Sequence, residues 1–360
     1  MRIKTTGKDA YFAASNSAQG FVSYYEKLFR DARISHIWAI KGGPGTGKSR
    51  FLQDVSDYAT ACGWSGEYIY CSSDPDSLDG IILTKAGKER LAFVDATSPH
   101  LLEPVCPGAW EDIVDLGQFW NSDILSSRRT EIEQLNREKG GAYRRAYRYL
   151  SGFGDVRANR DALVAPYVRQ SKIAAFAQKL LRDLPSGEVC SVKPALVHSI
   201  GMRGEVGFDT YFCAAKEIYI VVDCYGTAQY LMMELGKLAN QKCQSVRVSH
   251  DPVEAEKIDG LFFCDSGIAF MVCPEEECDY PHHTVSMRRF VDISSMKCVR
   301  HELRAIDRIG RALKAEAIDA LENVRKVHFR LEDIYSNAMN FEAKEAFTKS
   351  FCQKLFDKKA

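Results

Sequence analysis

Eight consecutive residues near the N-terminus carry the strongest chemical signal in the chain. They follow a short apolar run, precede a predicted helix, and read Gly42-Gly43-Pro44-Gly45-Thr46-Gly47-Lys48-Ser49. Glycines allow such a loop to aim successive backbone N–H groups inward at phosphate oxygens, and the helix N-terminus adds positive charge. In this pattern the ammonium of Lys48 reaches the β- and γ-phosphates, and the hydroxyl of Ser49 binds Mg²⁺. We therefore predict a site for a nucleoside triphosphate, with ATP as the default, and for Mg²⁺.

A magnesium site of this kind also needs a carboxylate at the end of a neighbouring strand. The apolar run 91–94 ends in Asp95, which is the pattern expected for that acid. We predict that Asp95 holds the metal together with Ser49. The same strand is followed by three candidates for activating water, Thr97, His100 and Glu103. The predicted catalytic residues are Lys48, Asp95 and His100.

The second half of the chain repeats short segments of the first half in the same order, about 175–187 residues later. The matched pairs include Gly20-Phe21 with Gly207-Phe208, Ile37–Lys41 with Ile218–Val222, Gly45-Thr46 with Gly226-Thr227, Asp79-Gly80 with Asp259-Gly260, and Pro99-His100 with Pro281-His282. Pro185 and Gly187 interrupt the helical pattern between the copies. We therefore predict two domains, 1–186 and 187–360, that arose by duplication.

The second copy has lost the residues that would bind phosphate and metal. Gln229 and Tyr230 replace the lysine and the serine of the loop, and Val272 replaces the acid that ends the strand. A joint loss is expected if these positions form one site. The second copy is therefore predicted to be degenerate and non-catalytic.

Hydrophobic periodicity predicts an α/β organisation for each copy. In the first copy we expect strands at 35–41, 67–71 and 91–95, and a helix from 48 to 62. Helical periodicity returns at 122–150 and 167–184, which predicts a helical appendage after the strand-rich core.

Two groups of polar residues have two interpretations each. Asp74 followed by Pro75 is typical of a helix N-cap with proline at the first helical position, although an acid near a phosphate loop can also orient water. Arg144 and Arg148 share a helix face, which is either a solvated surface or a lid over a γ-phosphate.

A short segment of the second copy contains potential zinc ligands. Cys273, Cys278, His282 and His283 lie within eleven residues. Their spacing is not the usual one for a zinc knuckle, and the acidic residues between them are typical of an exposed loop. An exposed loop is therefore the favoured interpretation.

Composition excludes several classes of protein. The 48 basic and 48 acidic residues balance, so no global field favours a nucleic acid or a membrane surface. No apolar run reaches the roughly 18–20 residues of a membrane helix, and the first residues do not resemble a secretory signal. Twelve cysteines scattered through predicted strands are typical of reduced thiols. We expect a soluble cytoplasmic protein that does not bind membranes, with nucleic acid an unlikely partner.

Over nearly its whole length the chain resembles an uncharacterised bacterial family of tandem P-loop ATPases. The segments that carry the resemblance are 41–49, 71–80, 94–100, Pro107-Gly108 with the following helix, and 146–150. The resemblance implies two fused nucleotide-binding modules and ATP binding. The family usually has a glycine loop in each module, and this chain departs from that at Gln229, Tyr230 and Val272.

Together these patterns predict two P-loop NTPase modules in tandem, each a three-layer α/β/α fold with a helical appendage, packed as an intramolecular pseudo-dimer. The expected function is Mg²⁺-dependent ATP binding and hydrolysis by the first module, with the second as its pseudo-ATPase partner. Two alternatives use the same phosphate site: a nucleotide or small-molecule kinase, and a nucleotide-gated switch with negligible turnover. An additional protein partner is compatible with either.

Overall fold

The computed structural model describes residues 1–85, 89–99 and 102–357, and over these ranges the chain is a mixed α/β protein with four sheets. In the first half the strands are β1 (Arg2–Ile3), β2 (Asp9–Phe12), β3 (Ala14–Ser17), β4 (Gly20–Ser23), β5 (His36–Lys41), β6 (Trp64–Tyr70), β7 (Leu78–Lys85), β8 (Arg90–Asp95) and β9 (Glu111–Asp115). The helices of that half are α1 (Tyr25–Phe29), α2 (Lys48–Ala61), α3 (Ser122–Ser127), α4 (Arg129–Val164) and α5 (Gln170–Leu180).

In the second half the strands are β10 (Ser191–Pro194), β11 (His198–Gly201), β12 (Gly204–Phe208), β13 (Glu217–Val222), β14 (Ser245–His250), β15 (Ile258–Phe263), β16 (Ile268–Val272) and β17 (His283–Ser286). The helices there are α6 (Thr210–Ala214), α7 (Ala228–Gln241), α8 (Arg300–Ser336) and α9 (Phe341–Phe356). In the part of the chain that the structure describes, no helix has the length and apolar composition needed to cross a bilayer.

Two of the sheets have six strands each and the same strand order. The first is β2-β6-β7-β8-β5-β9, and the second is β10-β14-β15-β16-β13-β17. In each sheet the third strand runs antiparallel to both of its neighbours, while the other neighbouring pairs are parallel. Each sheet is therefore mixed, and the sequence repeat coincides with a repeat of topology.

The predicted strands at 35–41, 67–71 and 91–95 are confirmed as β5, β6 and β8, and the predicted helix is confirmed as α2. The predicted helix start at Asp74 is wrong. The backbone N–H of Ser77 donates to the carbonyl of Asp74 at 3.0 Å, and this turn leads directly into β7. Strand formation prevails because the buried run 81–83 pairs with β6 on one side and β8 on the other.

Both faces of the first six-stranded sheet are covered by helices. On one face Phe51 and Leu52 of α2 pack with Phe356 of α9. On the other face lie Leu28 and Phe29 of α1. Burial on both faces suits parallel strands that are apolar along their whole length.

The C-terminal helices of each half pack against the other half. Helix α9 follows the second sheet in the chain but packs on α2 of the first half. Helix α5 follows the first sheet, yet Ile173 and Ala177 of α5 pack with Leu231 and Leu235 of α7. The helical segments predicted after each core are therefore present, and they are exchanged between the halves.

Helices α4 and α8 pack along each other in opposite directions. Lys139 of α4 lies beside His328 of α8, and Phe153 of α4 lies beside Gly310 of α8. Arg144 and Arg148 are exposed on this pair, as the solvated-face interpretation expects.

The cysteines and histidines of the segment 273–283 were the potential zinc ligands of the sequence analysis. Among the described residues no group of three or more potential ligands comes together in a way that could hold a metal ion. Cys278 and His282 instead contact the same backbone carbonyl, that of Tyr280.

Candidate functional site

The loop 42–47 joins the end of β5 to the start of α2. Strand β5 lies between β8 and β9, and it is parallel to both. Because carboxyl ends of neighbouring parallel strands meet at one edge of a sheet, the loop and the end of β8 come together. Lys48 Nζ lies 3.6 Å from Asp95 Oδ2, and both side chains are nearly buried. The structure thus brings together the predicted phosphate-binding lysine and the predicted metal ligand.

Lys48 is folded against its own loop. Its ammonium donates to the carbonyl oxygens of Gly42 and Gly43 at 3.0 and 2.8 Å. Thr46 Oγ1 also donates to the Gly43 carbonyl, at 2.9 Å. Residue 42 must be a glycine, because its φ is 155° and a Cβ there would lie 2.7 Å from Thr46 Oγ1. The loop is therefore closed on itself around a nearly buried cation.

The side chains of Ser49 and Asp95 have defined protein partners. Ser49 Oγ accepts a hydrogen bond from the backbone N–H of Leu78 at 2.9 Å. Asp95 Oδ1 accepts from the backbone N–H and the hydroxyl of Thr97, at 2.9 and 2.5 Å. These bonds fix an acid and a hydroxyl at the edge of the sheet where the loop begins.

The three candidates for activating water differ in their surroundings. Thr97 is bonded to Asp95, so it positions that acid. Glu103 is an exposed side chain that pairs with Lys41 at 2.6 Å. His100 lies outside the described residues.

Asp79 is a buried acid that the sequence analysis did not assign to the site. It lies on β7 across from the end of β8, since Gly80 pairs with Val94. The hydroxyl of Tyr25 donates to its Oδ2 at 3.1 Å. Burial, and secondarily the charge of Asp95, raise the pKa of Asp79 to about 8. The signal available in the sequence was an acid at the start of an apolar run, but its meaning depended on pairing with β8.

Helix α8 of the second half covers the loop. A Cβ on Gly45, where φ is 69°, would lie 2.5 Å from the backbone carbonyl oxygen of Glu332. A Cβ on Gly43 would lie 2.9 Å from the ring of Tyr335. Close contact with α8 therefore requires glycine at the tip of the loop. Sequence reasoning missed this contact because nearly 300 residues separate the two segments.

Side chains from α4 and α8 add further charges next to the loop. His328 Nε2 lies 3.3 Å from Glu332 Oε1, and Lys139 Nζ lies 3.2 Å from His328 Nδ1. Burial opposes ionisation of Glu332, but the hydrogen bond from His328 and the charges of Lys48 and Lys139 outweigh it and hold the pKa of Glu332 below its usual range. An ionised acid and a second lysine thus accompany Lys48.

In the equivalent loop of the second half, 223–228, the backbone N–H groups donate to a side chain of the same loop. Asp223 stands at the position of Gly42, and its Oδ1 accepts from the backbone N–H groups of Tyr225 and Thr227, both at 3.0 Å. Its Oδ2 accepts from the N–H of Ala228, also at 3.0 Å. A carboxylate of the chain therefore occupies the anion nest of this loop.

Protein-family models, curated proteins and solved structures were all compared with this chain, and none of them matches it. Its function is therefore inferred from its own side chains and from the contrast between its two loops.

Proposed function

We propose that the first half of the chain binds Mg²⁺ and a nucleoside triphosphate, ATP by default, and hydrolyses the γ-phosphate. The observation that carries this proposal is the meeting of Lys48, the glycine loop and Asp95 at one edge of the sheet. The second half has the same topology, but its loop is filled by Asp223. The second loop can therefore be compared with the first, because its phosphate position is already occupied by a side chain.

The residues of the first loop fit a polyphosphate chain. Backbone N–H groups of the loop and the N-terminus of α2 would hold phosphate oxygens. Lys48 would exchange its bonds to the carbonyls of Gly42 and Gly43 for bonds to the β- and γ-phosphates. Such bonds are stronger because both partners are charged.

Ser49 and Asp95 fit the chemistry of a magnesium site. Magnesium prefers hard oxygen ligands and usually takes only one or two from the protein, the others being water and phosphate oxygens. The bound ion would neutralise charge on the transferring phosphoryl group. Thr97 would keep Asp95 oriented through its two hydrogen bonds.

Glu332 is the residue that we assign to orienting the attacking water. Its carboxylate is ionised and lies among the charges of Lys48 and Lys139, and His328 fixes its orientation. A carboxylate held next to the γ-phosphate can accept a proton from water. This role would make hydrolysis depend on a helix of the second half.

We further propose that the two halves are duplicated P-loop NTPase modules that form a pseudo-dimer within one chain. The identical strand order of the two six-stranded sheets supports this proposal. The second module would be a non-catalytic partner, because it has Gln229 in place of the lysine and Val272 in place of the acid. Its contribution would be to supply α8 and α9 to the first module.

A nucleotide-gated switch is the second candidate function. The packing of Glu332 and Tyr335 against Gly45 and Gly43 favours it, because opening of the loop would have to move α8. Such a protein would bind Mg·ATP and release almost no phosphate. Among the described residues no contact favours the kinase alternative, since Arg144 and Arg148 are exposed to solvent.

Phosphate release from ATP, measured with Mg²⁺ and with excess chelator, tests the proposal. We expect release only with Mg²⁺, and its loss in Asp95→Asn, which keeps the shape of the side chain but removes the charge. Asp265→Asn makes the same change at an exposed acid and should leave the rate unchanged. Binding of Mg·ATP without release would favour the switch, and absence of binding would refute both candidates.

A further inference from the structure

A buried lysine of the second half lies beside the end of the glycine loop. Lys344 belongs to α9 and is only 1% exposed. A Cβ on Gly47 would lie 3.5 Å from Lys344 Nζ, and Gly47 is the residue that caps the N-terminus of α2. The ammonium of Lys344 therefore lies next to the point where the loop becomes a helix.

This ammonium has no hydrogen bond or ion pair among the residues that the structure describes. Burial lowers the pKa of Lys344, although the charges of Asp54 and Glu345 act in the opposite direction. Asp54 itself pairs with Arg50 at 2.9 Å. A buried charge without a partner is costly, and a cation is unfavourable at the positive N-terminal end of a helix. An anion bound between Lys344 and the start of α2 would offset both costs.

The equivalent position of the second half carries an apolar side chain. The N-caps of α5 and α9 are Arg169 and Asn340, and each donates its backbone N–H at 2.8 Å to the carbonyl that ends the 3₁₀ turn after β17 or β9 of the other half. Four residues after these caps stand Ile173 and Lys344. Ile173 is fully buried and packs on α7, the helix that follows the loop containing Asp223. The fold therefore accepts an apolar residue here, and the cation occurs where the loop has no carboxylate of its own.

A cavity of about 810 Å³ lies beside the first turn of α9. Phe341 is one of its walls, and the ring of Phe341 would lie 3.6 Å from the same Cβ on Gly47 that approaches Lys344. Phe341 is 40% exposed, and Phe119 and Trp120 also line the cavity. The volume is in the range of small-molecule sites, and nucleobases stack on aromatic side chains.

The order of the strands indicates which end of a nucleotide would lie near this cavity. Strand β5, which leads into the glycine loop, lies between β8 and β9. Asp95, the proposed metal ligand, ends β8, whereas the cavity is lined by residues that follow β9. The metal of such a site contacts the β- and γ-phosphates. A triphosphate whose metal lies on the β8 side would therefore direct its nucleoside toward β9 and α9.

We propose that α9 of the second half forms the nucleoside side of the nucleotide site. The ammonium of Lys344 donates to the phosphate next to the nucleoside, and the base stacks on Phe341 in the cavity. This inference rests on the proposed binding of a nucleotide by the first half. It adds a specific contribution of the second half, which can fail while nucleotide binding itself is confirmed.

Equilibrium titration of the full-length chain with two probes tests the role of Lys344. The probes are Mg·ATP and magnesium tripolyphosphate, which has three phosphates and no nucleoside. Lys344→Met should weaken the binding of both by about 10-fold or more, because a charge-assisted hydrogen bond is lost. Ile173 at the equivalent position indicates that an apolar side chain is tolerated, and Lys344→Gln is a second variant without the charge. Lys349→Met, at an exposed lysine of the same helix, should leave both affinities within about 2-fold.

The same two probes test the position of the nucleoside. Phe341→Ala should weaken the binding of Mg·ATP by about 10-fold, because stacking on the base is lost. Binding of tripolyphosphate should stay within about 2-fold, since this probe has no base. Phe329→Ala removes an aromatic ring that is 39% exposed and does not line the cavity, so it should change neither affinity. Circular dichroism checks that each variant is folded.

The outcomes separate this inference from the proposed function. If the wild type binds neither probe, both are wrong. If the wild type binds Mg·ATP and the Lys344 variants bind both probes as tightly as the wild type does, only the assignment of Lys344 is wrong. A loss confined to Mg·ATP in the Lys344 variants would also overturn its assignment to a phosphate. Unchanged binding of Mg·ATP by Phe341→Ala, or an equal loss for the two probes, would overturn the position of the nucleoside.

Discussion

The two loops at the ends of β5 and β13 occupy the same position in two sheets of identical topology, and each leads into a helix of 14 residues. In the first loop a lysine lies against the loop carbonyls, and an acid ends the next strand. In the second loop Asp223 accepts three backbone N–H groups. We propose that the first loop binds an anion, and the second loop shows that a carboxylate of the chain can fill such a nest.

A long helix of the other half lies over each loop, and the two helices present an acid in each case. Glu332 of α8 lies near Lys48 and Lys139. Asp161 of α4 accepts from Gln229 at 3.3 Å and pairs with Lys257 at 2.5 Å. Glu332 lies near residues that we propose to hold phosphate. Asp161 is instead already bonded to Gln229 and Lys257. We therefore propose that Glu332 serves the chemistry of the site, whereas Asp161 serves the structure.

The largest expected effect comes from the paired substitutions Lys48→Ala and Gln229→Ala. Removing the ammonium from the first loop should lower phosphate release by on the order of 100-fold or more, because a charge that stabilises the transferring phosphate is lost. Gln229→Ala, at the equivalent position, should leave the rate within about 2-fold. A steady-state phosphate-release assay measures both. An equal loss of phosphate release in the two variants would show that the two loops do not differ in their contribution to hydrolysis.

The second comparison pairs Glu332→Gln with Asp161→Asn. If Glu332 orients water, its amide variant should lose on the order of 100-fold in turnover. It should still bind Mg·ATP at least as tightly as wild type, because a negative charge near the phosphates is removed. Asp161→Asn should keep wild-type turnover. Separate measurement of the dissociation constant and of turnover tests this pair, and an unchanged turnover in Glu332→Gln would remove Glu332 from the mechanism.

A third prediction concerns the filled loop. Asp223→Ala leaves three backbone N–H groups without their acceptor, so we expect a loss of about 1–3 kcal/mol in the free energy of unfolding. Nucleotide binding should stay unchanged, because Gln229 cannot replace a lysine. Urea unfolding and titration with Mg·ATP measure the two properties. A gain of a second nucleotide site in this variant would mean that the carboxylate alone had kept the second loop empty.

A fourth prediction concerns the pH dependence of stability. The pKa of Asp79 is raised from 3.8 to about 8 in the folded chain, so the folded state holds a proton that the unfolded state releases between these values. The free energy of unfolding should therefore fall as the pH rises from about 4 to about 8 and then level off. Asp79→Asn mimics the protonated acid and should reduce this fall. Urea unfolding at several pH values measures this dependence. If the free energy of unfolding of Asp79→Asn falls with pH as steeply as that of the wild type, the raised pKa of Asp79 is contradicted.

Local patterns in the sequence predicted much of the first half correctly. The glycine loop, the helix that begins at Lys48, and the strands β5, β6 and β8 depend on short-range signals such as glycine spacing and apolar runs. The loss of the lysine and the acid from the second copy could also be predicted by comparing aligned positions. The sequence also assigned Lys48 and Asp95 to one site, and the parallel pairing of β5 with β8 explains why the two side chains meet.

The remaining features depend on contacts between distant segments. Strand β7 was missed because the turn at Asp74 resembles a helix start, and only its pairing with β6 and β8 decides the outcome. The packing of α8 on the glycine loop and the exchange of α5 and α9 cannot be deduced from periodicity, which gives the apolar face of a helix but not its partner. Asp223 was visible in the sequence, but its role depends on the backbone conformation of the loop.

The most direct test of the two-loop comparison is the stoichiometry of nucleotide binding. Equilibrium titration of the full-length chain with Mg·ATP should give one site per chain for the wild type and for Gln229→Ala, and no site for Lys48→Ala. Two sites per chain, or a single site that survives Lys48→Ala, would contradict the distinction between a working loop and a filled one.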